Sequence, residues 1–557
     1  KQGKASSHGA PLGAGEVETV KSRLYGMDPT KSFFIDEDVA VVVDAIAADF
    51  HGVRVDGCVV VVTVERADET VVIVIGLSAA TAAFIECPVA VIIHEIAAEF
   101  FHARIGVRVV VVAVAFADQE VVAVGVHLEP ALRAVAVVAV MLYHLGFDWI
   151  PGGFLGVDLF FVISGYVITR LLLDSIQRSG GLDLRAFYKS RLRRLLPPLV
   201  FMIITTTLFI GVWAPDTIKR LLTDTPFALT GIMNWWLVFE QQDYFESIGR
   251  PPLLQHTWSL AVEAQFYLIW PLILLLVLRQ LGRRVIPAAA LTIAIGSGIA
   301  LLFVSLRIDS SSSQSVSHVY FGTDTHSIGL FLGAALAVNW IPQNLKLDIA
   351  KRAQDVIDAI GVFGFLGILT CFLFIDESNP TLYKIAFPLA GIFGCAIIMS
   401  IVHPASRFAP LLQGKAILWI GERSYAIYLW HWIVFQVTRP SVDLAGASWA
   451  LYALRVLIVF ALADISLRWV ELPFRNGYIE SWFRGMKYRT KKVRVRQKTT
   501  LALSIISVLL ATSLVSANAI AISDRNLAKL KLEITSGAEV QTQISNPADG
   551  LWVVGDS

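Results

Sequence analysis

The chain has few charged residues for its length. Of its 557 residues, 16% are Asp, Glu, Lys or Arg, whereas about a quarter of a soluble protein is charged. No clear internal repeat of the kind that transporters often carry is present. The cysteines show no metal-ligand spacing and predict neither a disulfide framework nor a redox site, so we interpret them as small core residues. They are Cys58, Cys87, Cys371 and Cys395.

Apolar residues take the place of charged ones. Hydrophobic residues make up 55% of the chain, and the mean hydropathy is +0.65. Apolar runs of the length that crosses a bilayer, about 20 residues, recur along the sequence. They predict an all-α polytopic membrane bundle with about ten core helices and one linking helix. The predicted spans are 131–147, 154–175, 196–213, 258–279, 286–306, 326–341, 357–375, 384–403, 417–438, 448–471 and 500–523.

Basic residues between the spans set the predicted orientation. They cluster in 176–195 and 472–499, with smaller groups near Arg283 and Lys346. Clusters of this kind are typical of cytoplasmic loops. All of them fall on one side only if 214–257 does not span, so we predict that this segment lies at the outer surface. The first span then begins inside, and the chain lies outside after about residue 523.

Residues 1–125 differ in kind from the rest. Valine and alanine alternate there with scattered charges, a period of two that indicates short strands. The segment is interpreted either as a small α/β appendage or as coding sequence read upstream of the true start. Its stretch HEIAAEFFH is close to the zinc motif H-E-x-x-H, but Ala98 stands four residues after His94. No metal site is therefore predicted.

Seven sequence blocks follow one another through the apolar part of the chain. They are LRAVAVVAVMLYH, GGFLGVDLFFVISGYVI, FYKSRLRRLLPP, LLQHTWSLAVEAQFYLIWP, YFGTDTHSIGLFLGAALA, GERSYAIYLWHW and RWVELPFR. In this order they resemble the acyltransferase-3 family of integral membrane O-acyltransferases. The last residues, LWVVGDS, are similar to the first block of an SGNH hydrolase-fold domain, which follows the membrane part in the long form of that family.

The resemblance implies a domain organisation. The acyltransferase-3 membrane domain would cover 131–475, a basic cytoplasmic linker 476–499 and an additional transmembrane helix 500–523. Residues 524–557 would be an extracytoplasmic linker and the first strand of a truncated α/β SGNH domain, with Ser557 as its nucleophile. Two positions depart from the family pattern: Ala264 stands where many members carry an acid, and His326 stands where an arginine is common.

Arg133 and His144 are predicted to share one helix face. Eleven residues at 100° each return to within about 20° of the same face, about 16 Å further along the axis. Ionisable groups at membrane depth usually mark function. We interpret His144 as a general base for an acceptor hydroxyl, or as a brief carrier of the acyl group. The alternative is an interfacial histidine that ends a helix.

Four further residues are candidates at the outer face. Asp158 could orient the His144 imidazole, or make a structural hydrogen bond to a neighbouring helix. Glu263 could orient His144 or the acceptor sugar, or cap its helix. His256 and Trp258 could bind the acceptor, since aromatic rings stack on sugars. Tyr425 and Tyr428 are interpreted as packing residues. His431 could line the same cavity, or be a packed and hydrogen-bonded histidine, and we favour the second interpretation.

A set of arginines is the candidate donor site on the inner face. Guanidinium groups pair bidentately with phosphate oxygens, so the set could bind the phosphates of acyl-CoA. The alternative is a role in topology and lipid binding. The set consists of Arg133, Arg185, Arg191, Arg193 and Arg194.

The resemblance implies a membrane O-acyltransferase of the bacterial inner membrane, multi-pass, with its C-terminal end extracytoplasmic. It would move an acyl group, acetyl first, from cytoplasmic acetyl-CoA to hydroxyls of lipopolysaccharide O-antigen, peptidoglycan or another envelope polysaccharide. No bound cofactor, metal or nucleic acid is expected. The alternative function is a transporter of a glycan or small solute without covalent chemistry.

Overall fold

The structure is a computed structural model of the chain. It divides the chain into two compact units, Lys1–Val124 and Gly125–Ser557. The residues that it describes are 59–66, 69–76, 95–97, 108–110, 119–240, 250–307, 313–376, 380–444, 446 and 448–544.

The first unit contains two small antiparallel sheets among its described residues. Strands β1 (Val59–Arg66) and β2 (Glu69–Gly76) pair in register from Val59 opposite Gly76 to Arg66 opposite Glu69. Strands β3 (Glu95–Ala97) and β4 (Arg108–Val110) form the second pair. The alternating segment 58–76 thus contains strands, while QEVVAV at 119–124 is helical because it continues into the first long apolar helix.

The regular elements of the second unit, over its described residues, are helices. We number them with the helix that leads into the unit: α1 (Gln119–His144), α2 (Gly156–Ser179), α3 (Leu184–Trp213), α4 (Ile218–Thr230), α5 (Met233–Phe239), α6 (Trp258–Gln280), α7 (Ile286–Leu306), α8 (Ser313–Phe321), α9 (Thr323–His326), α10 (Ile328–Asn339), α11 (Lys351–Phe374), α12 (Pro380–Val402), α13 (Lys415–Glu422), α14 (Ser424–Val437), α15 (Trp449–Ser466), α16 (Leu472–Arg475), α17 (Tyr478–Gly485) and α18 (Lys491–Ile544).

The predicted polytopic all-α bundle is confirmed. Eight helical segments of the described chain are long and apolar enough to cross a membrane. They correspond to eight of the predicted spans: 153–178, 184–213, 255–280, 283–306, 351–374, 384–402, 449–475 and 491–529. Helices α4 and α5, with 13 and 7 residues, are too short to cross.

Two predicted spans are interrupted. The span 326–341 begins at the last residue of the short helix α9, is broken at Ser327 and continues as the 12-residue α10. The span 417–438 is α13 followed by α14, with Arg423 between them. The Arg423 guanidinium is fixed by Asp464 of α15 at 2.8 Å and by the carbonyl oxygen of Trp419 at 3.1 Å. Apolar composition alone does not reveal such breaks.

The basic run before the third span is helical rather than a loop. Helix α3 begins at Leu184, where the Asp183 side chain accepts a hydrogen bond of 2.9 Å from the amide of Ala186. This N-cap starts the helix twelve residues before the predicted span. The arginines of 185–194 therefore occupy fixed helical faces.

Helix α2 lies at the centre of the bundle and α18 at its edge. In the most apolar 18-residue window of 153–178, 83% of the residues are buried, against 11% for 491–529. Helix α2 packs closely against α10, because a Cβ atom at Gly165 would overlap the backbone of Leu330, and one at Gly333 would overlap that of Val162. Small residues at such crossings let two membrane helices approach.

Helix α18 is a single rod of 54 residues, about 80 Å long at 1.5 Å per residue. It packs on α3 and on the turn that precedes α4. Lys219 and Asp524 form an ion pair that joins α4 to this helix. The predicted span 500–523 is therefore the middle of a longer helix.

The connection between α14 and α15 is held by one carboxylate. Asp443 lies 2.7 Å from the Arg250 guanidinium and 3.0 Å from that of Arg439. Burial alone would raise the pKa of Asp443, but hydrogen bonds from Arg439 and the charge of Arg250 outweigh it, and the pKa is lowered. These two ion pairs fix the loop next to the His144 end of the bundle.

Substitution of Gly165 tests the central crossing. Gly165→Ala is expected to destabilise the protein by about 1–3 kcal/mol, because the added methyl group forces α2 and α10 apart. Gly296→Ala on α7 is the matched control, since a Cβ atom there meets nothing within 4 Å among the described residues. Thermal unfolding in detergent measures both. Equal melting temperatures for the two variants would contradict the close approach.

Candidate active site

A basic pocket opens beside Arg133, near the middle of α1. The open space among its lining residues, counted together with the adjoining solvent, is about 400 Å³. Helices α1, α3, α6 and α14 contribute polar groups to it, and α2 contributes Ser164. The polar residues that line it are Arg133, Ser164, Arg191, Arg194, Glu263, Tyr267 and Tyr425. Three guanidinium groups thus share one pocket with one carboxylate.

The carboxylate of Glu263 is fixed by two hydroxyl groups. Ser164 Oγ donates to Glu263 Oε1 at 2.7 Å, and Tyr267 OH donates to Oε2 at 2.8 Å. Tyr425 OH donates to the carbonyl oxygen of Leu195 at 2.7 Å. These bonds fix the polar side chains that share the pocket with its arginines.

The three arginines differ in their acidic neighbours. Arg133 Nε lies 2.7 Å from Glu129 Oε1, and the buried Glu471 is close enough to Arg194 to interact with its charge. Arg191 lines the pocket and makes no ion pair in the part of the chain that the structure describes; its buried Nε atom, like that of Arg193, has no hydrogen-bond partner there. An anion in the pocket would therefore meet no competing carboxylate at Arg191.

Two arginines of the predicted donor set do not reach this pocket. Arg193 pairs with Glu480 of α17, which also lies 3.9 Å from Lys189. Arg185 is exposed in the first turn of α3. The reason is helical geometry: Arg191 and Arg194 are three residues apart and share a face, whereas Arg193 points away from it.

Three histidines meet at the C-terminal end of α1. His144 is its last residue, His431 lies on α14, and His256 lies in the turn 255–257 that leads into α6. His144 Nδ1 lies 3.0 Å from His431 Nε2, with the rings stacked 5.1 Å apart. The His256 and His431 rings are 6.0 Å apart. We name these three residues the histidine cluster.

The histidine cluster is fixed by the backbone of α14 and by Trp432. His431 Nδ1 lies 2.6 Å from the carbonyl oxygen of Tyr428, and His256 Nε2 lies 3.1 Å from that of Leu429. The rings of Trp432 and His144 pack edge to face, with their centroids 4.8 Å apart. In the part of the chain that the structure describes, no three His, Cys, Asp or Glu residues could hold a metal ion.

Helices α6 and α14 connect the pocket to the histidine cluster. On α14, Tyr425 and His431 are six residues apart, about 9 Å along the axis, with Tyr428 midway between them. Tyr428 OH donates to the carbonyl oxygen of His256 at 2.9 Å and lies 2.7 Å from Ser259 Oγ. The tyrosines interpreted as packing residues are therefore polar groups on one face. In the sequence, the signal for this face was that Tyr425, Tyr428 and His431 follow one another at intervals of three residues.

Asp158 does not contact His144. Its carboxylate lies 3.1 Å from Nε2 of His326, whose Nδ1 donates to the carbonyl oxygen of Tyr320 at 2.7 Å. Both side chains are buried. Of the two interpretations of Asp158, the structure supports the hydrogen bond to a neighbouring helix, because this face of α2 is turned towards α9. The partner stands at one of the two positions where the sequence departs from the family pattern.

Glu263 also lies away from His144. We expected it at the outer face, but it is seven residues after His256, about 10 Å deeper along α6. Trp258 is fully buried and its ring packs against Phe161, Tyr320 and His326. An indole buried on all sides has no face for a sugar, and His256 is likewise 1% exposed. Ser557 and the His94–His102 stretch lie outside the described residues, apart from β3.

Comparisons with known proteins identify one family over most of the described part. A family model described as an acyltransferase domain matches residues 131–468, more than half of the chain. A second model, the thiamine diphosphate binding domain of transketolase, matches residues 1–55, which lie outside the described residues. That short match shows no second family. No solved structure matches the chain.

Two curated relatives illustrate the similarity. The chain is 38% identical over 357 residues to the peptidoglycan O-acetyltransferase OatA of Listeria monocytogenes serovar 1/2a, which covers 64% of this chain and 57% of that protein. It is 36% identical over 376 residues to the O-acetyltransferase OatA of Staphylococcus aureus strain MRSA252, which covers 67% of this chain and 60% of that protein. The chain thus spans less than two thirds of the length of these relatives.

Two substitutions test the pairing of Asp158 with His326. His326→Leu is expected to destabilise the protein by about 3 kcal/mol, since removing one partner of a buried pair leaves the other without its hydrogen bond. Asp158→Asn should cost much less, because its amide can donate to His326 Nε2. Melting temperatures in detergent compare them. An equal loss in both variants, or no loss in either, would show that the pair is not a structural contact.

Proposed function

The chain belongs to the acyltransferase-3 family of integral membrane proteins, and on that premise we propose that it is a membrane O-acetyltransferase. Its donor is acetyl-CoA on the cytoplasmic side, and its acceptor is a hydroxyl group of an envelope polysaccharide. The observation that carries the proposal is the basic pocket beside Arg133, near the middle of α1, and the histidine cluster at the C-terminal end of the same helix.

The basic pocket is the proposed donor site. Arg133, Arg191 and Arg194 would bind phosphate oxygens of acetyl-CoA through charge-assisted hydrogen bonds. Arg191 supports this, because it lines the pocket and makes no ion pair among the described residues. The pantetheine arm would then follow the polar face of α14 past Tyr425 and Tyr428. That path brings the thioester to His144, about 16 Å along α1 from Arg133.

His144 is the proposed general base. It takes the proton of the acceptor hydroxyl as the hydroxyl oxygen attacks the thioester carbonyl carbon. The carbon–sulfur bond breaks, the CoA sulfur takes the proton from the imidazolium, and an acetyl ester remains on the acceptor. Proton transfer by a positioned side chain contributes about 10²–10⁴-fold to the rate.

Peptidoglycan is the acceptor that the relatives' names favour, since the Listeria relative is named a peptidoglycan O-acetyltransferase. Those names do not mention lipopolysaccharide O-antigen, the other acceptor considered. Ser557 remains a predicted nucleophile for passing the acetyl group to the sugar. The proposed location is the bacterial cytoplasmic membrane, with the His144 end of the bundle and the end of the chain outside.

Radiolabelled acetyl-CoA supplied to inside-out vesicles tests the function. We expect label to become covalently attached to envelope polysaccharide, and His144→Ala to abolish the transfer while acetyl-CoA binding is retained. Transfer that survives in His144→Ala would contradict the role of this histidine. Transport of an intact solute without covalent label would instead support a transporter.

Substitution of a single arginine tests the donor site. Arg191→Ala should weaken acetyl-CoA binding by about 10–100-fold, the value of one hydrogen bond to a charged group. Arg193→Ala is the matched control, because this neighbouring arginine pairs with Glu480 outside the pocket. Binding to purified protein in detergent measures both. Equal affinities in the two variants would place the phosphates elsewhere.

A further inference from the structure

His431 is a buried histidine that the proposed chemistry does not use. It lies on α14 with 0% of its surface exposed, and both of its ring nitrogens are within hydrogen-bond distance of a partner. Nδ1 lies 2.6 Å from the carbonyl oxygen of Tyr428, and Nε2 lies 3.0 Å from Nδ1 of His144.

The carbonyl partner determines where the His431 proton lies. A carbonyl oxygen only accepts hydrogen bonds, so Nδ1 of His431 must carry the proton and donate it. In the neutral ring the other nitrogen, Nε2, then carries a lone pair. The helix backbone thus fixes His431 as a hydrogen-bond acceptor on the side that faces His144.

The position of the proton on His431 in turn determines where the proton lies on the His144 ring. A lone pair on His431 Nε2 accepts a hydrogen bond only if Nδ1 of His144 carries a proton. His144 is then the tautomer with its proton on Nδ1 and its lone pair on Nε2. A general base needs that lone pair, because it is the atom that receives the proton of the hydroxyl group.

The contact also suits the charged form of His144. When His144 Nε2 takes a proton, its Nδ1–H continues to donate to His431 Nε2, and the bond strengthens because the donor is now an imidazolium. Burial increases the electrostatic strength of such a bond. The chain from Tyr428 through His431 to His144 therefore both aligns the base and stabilises it once it is protonated.

We infer that His431 is a positioning residue that holds His144 in the tautomer with a basic Nε2. The inference rests on the proposed function only for the role of His144, because the tautomer itself can be measured without any transfer. His431 touches neither donor nor acceptor in this account. It acts through its hydrogen bond to His144.

Two substitutions separate this role from packing. His431→Gln leaves a carbonyl oxygen near the former Nε2, so an acceptor for His144 remains. His431→Leu removes the acceptor and keeps an apolar group of moderate size. His403→Gln is the matched control, the same change at another buried histidine, whose ring contacts Trp340 outside the histidine cluster.

Transfer kinetics provide the first readout. We expect His431→Leu to lower kcat by about 10–100-fold, the value of one hydrogen bond to a charged group, with the KM for acetyl-CoA unchanged. His431→Gln should recover most of that loss, and His403→Gln should behave as wild type. A leucine variant with wild-type kcat, or a glutamine variant as slow as leucine, would overturn the inference.

Nitrogen-15 spectra of histidine-labelled protein provide the second readout. The His144 signals, identified by their loss in His144→Ala, should show a protonated Nδ1 and an unprotonated Nε2 in wild type. They should show mixed tautomers in His431→Leu. A His144 ring protonated on Nε2 in wild type would overturn the inference whether or not the protein transfers acetyl groups. Failure of the proposed function appears separately, as absence of transfer in wild type with the expected tautomer.

Discussion

Lipid offers no hydrogen-bond partner to a polar side chain, so polar and charged groups inside the bundle must meet one another or line a cavity. The described part of the chain satisfies this constraint in three places. Three arginines share the basic pocket with Glu263, the histidine cluster is fixed by carbonyl oxygens of α14, and Asp158 pairs with His326. Each place is polar because helices bring complementary groups to the same depth.

Helix α1 gives these places their order. Arg133 and His144 lie on one face of it, and α6 and α14 run beside it with polar groups at intermediate depth. Tyr428 and Ser259 join the two helices midway. A long, thin acyl donor, with phosphates at one end and a thioester at the other, would match the spacing between the basic pocket and the histidine cluster. The proposed chemistry therefore follows from the spacing along one helix as much as from the identity of any side chain.

Much of the fold could be predicted from sequence, and less of the site. Hydropathy located the spans because crossing a bilayer requires a long apolar run, but it missed the breaks at Ser327 and Arg423, which depend on local hydrogen bonds. The placement of Arg133 and His144 on one face of α1 was predicted from helical periodicity. The partners of Asp158 and the depth of Glu263 were not, because they depend on how each helix is rotated against its neighbours. The hydrogen bond from His144 to His431 was not predicted either, because it depends on how α1 and α14 pack.

The central claim is that Arg133 and His144, about 16 Å apart along α1, are reached from opposite sides of the membrane. Single cysteines at 148, beside His144, and at 185, in the first turn of α3, test it in protein whose four native cysteines are replaced by alanine. A thiol reagent that cannot cross membranes is applied to intact cells. We expect the reagent to label Asp148→Cys in intact cells, and to label Arg185→Cys only after the cells are opened. Labelling of both positions from the same side would contradict it.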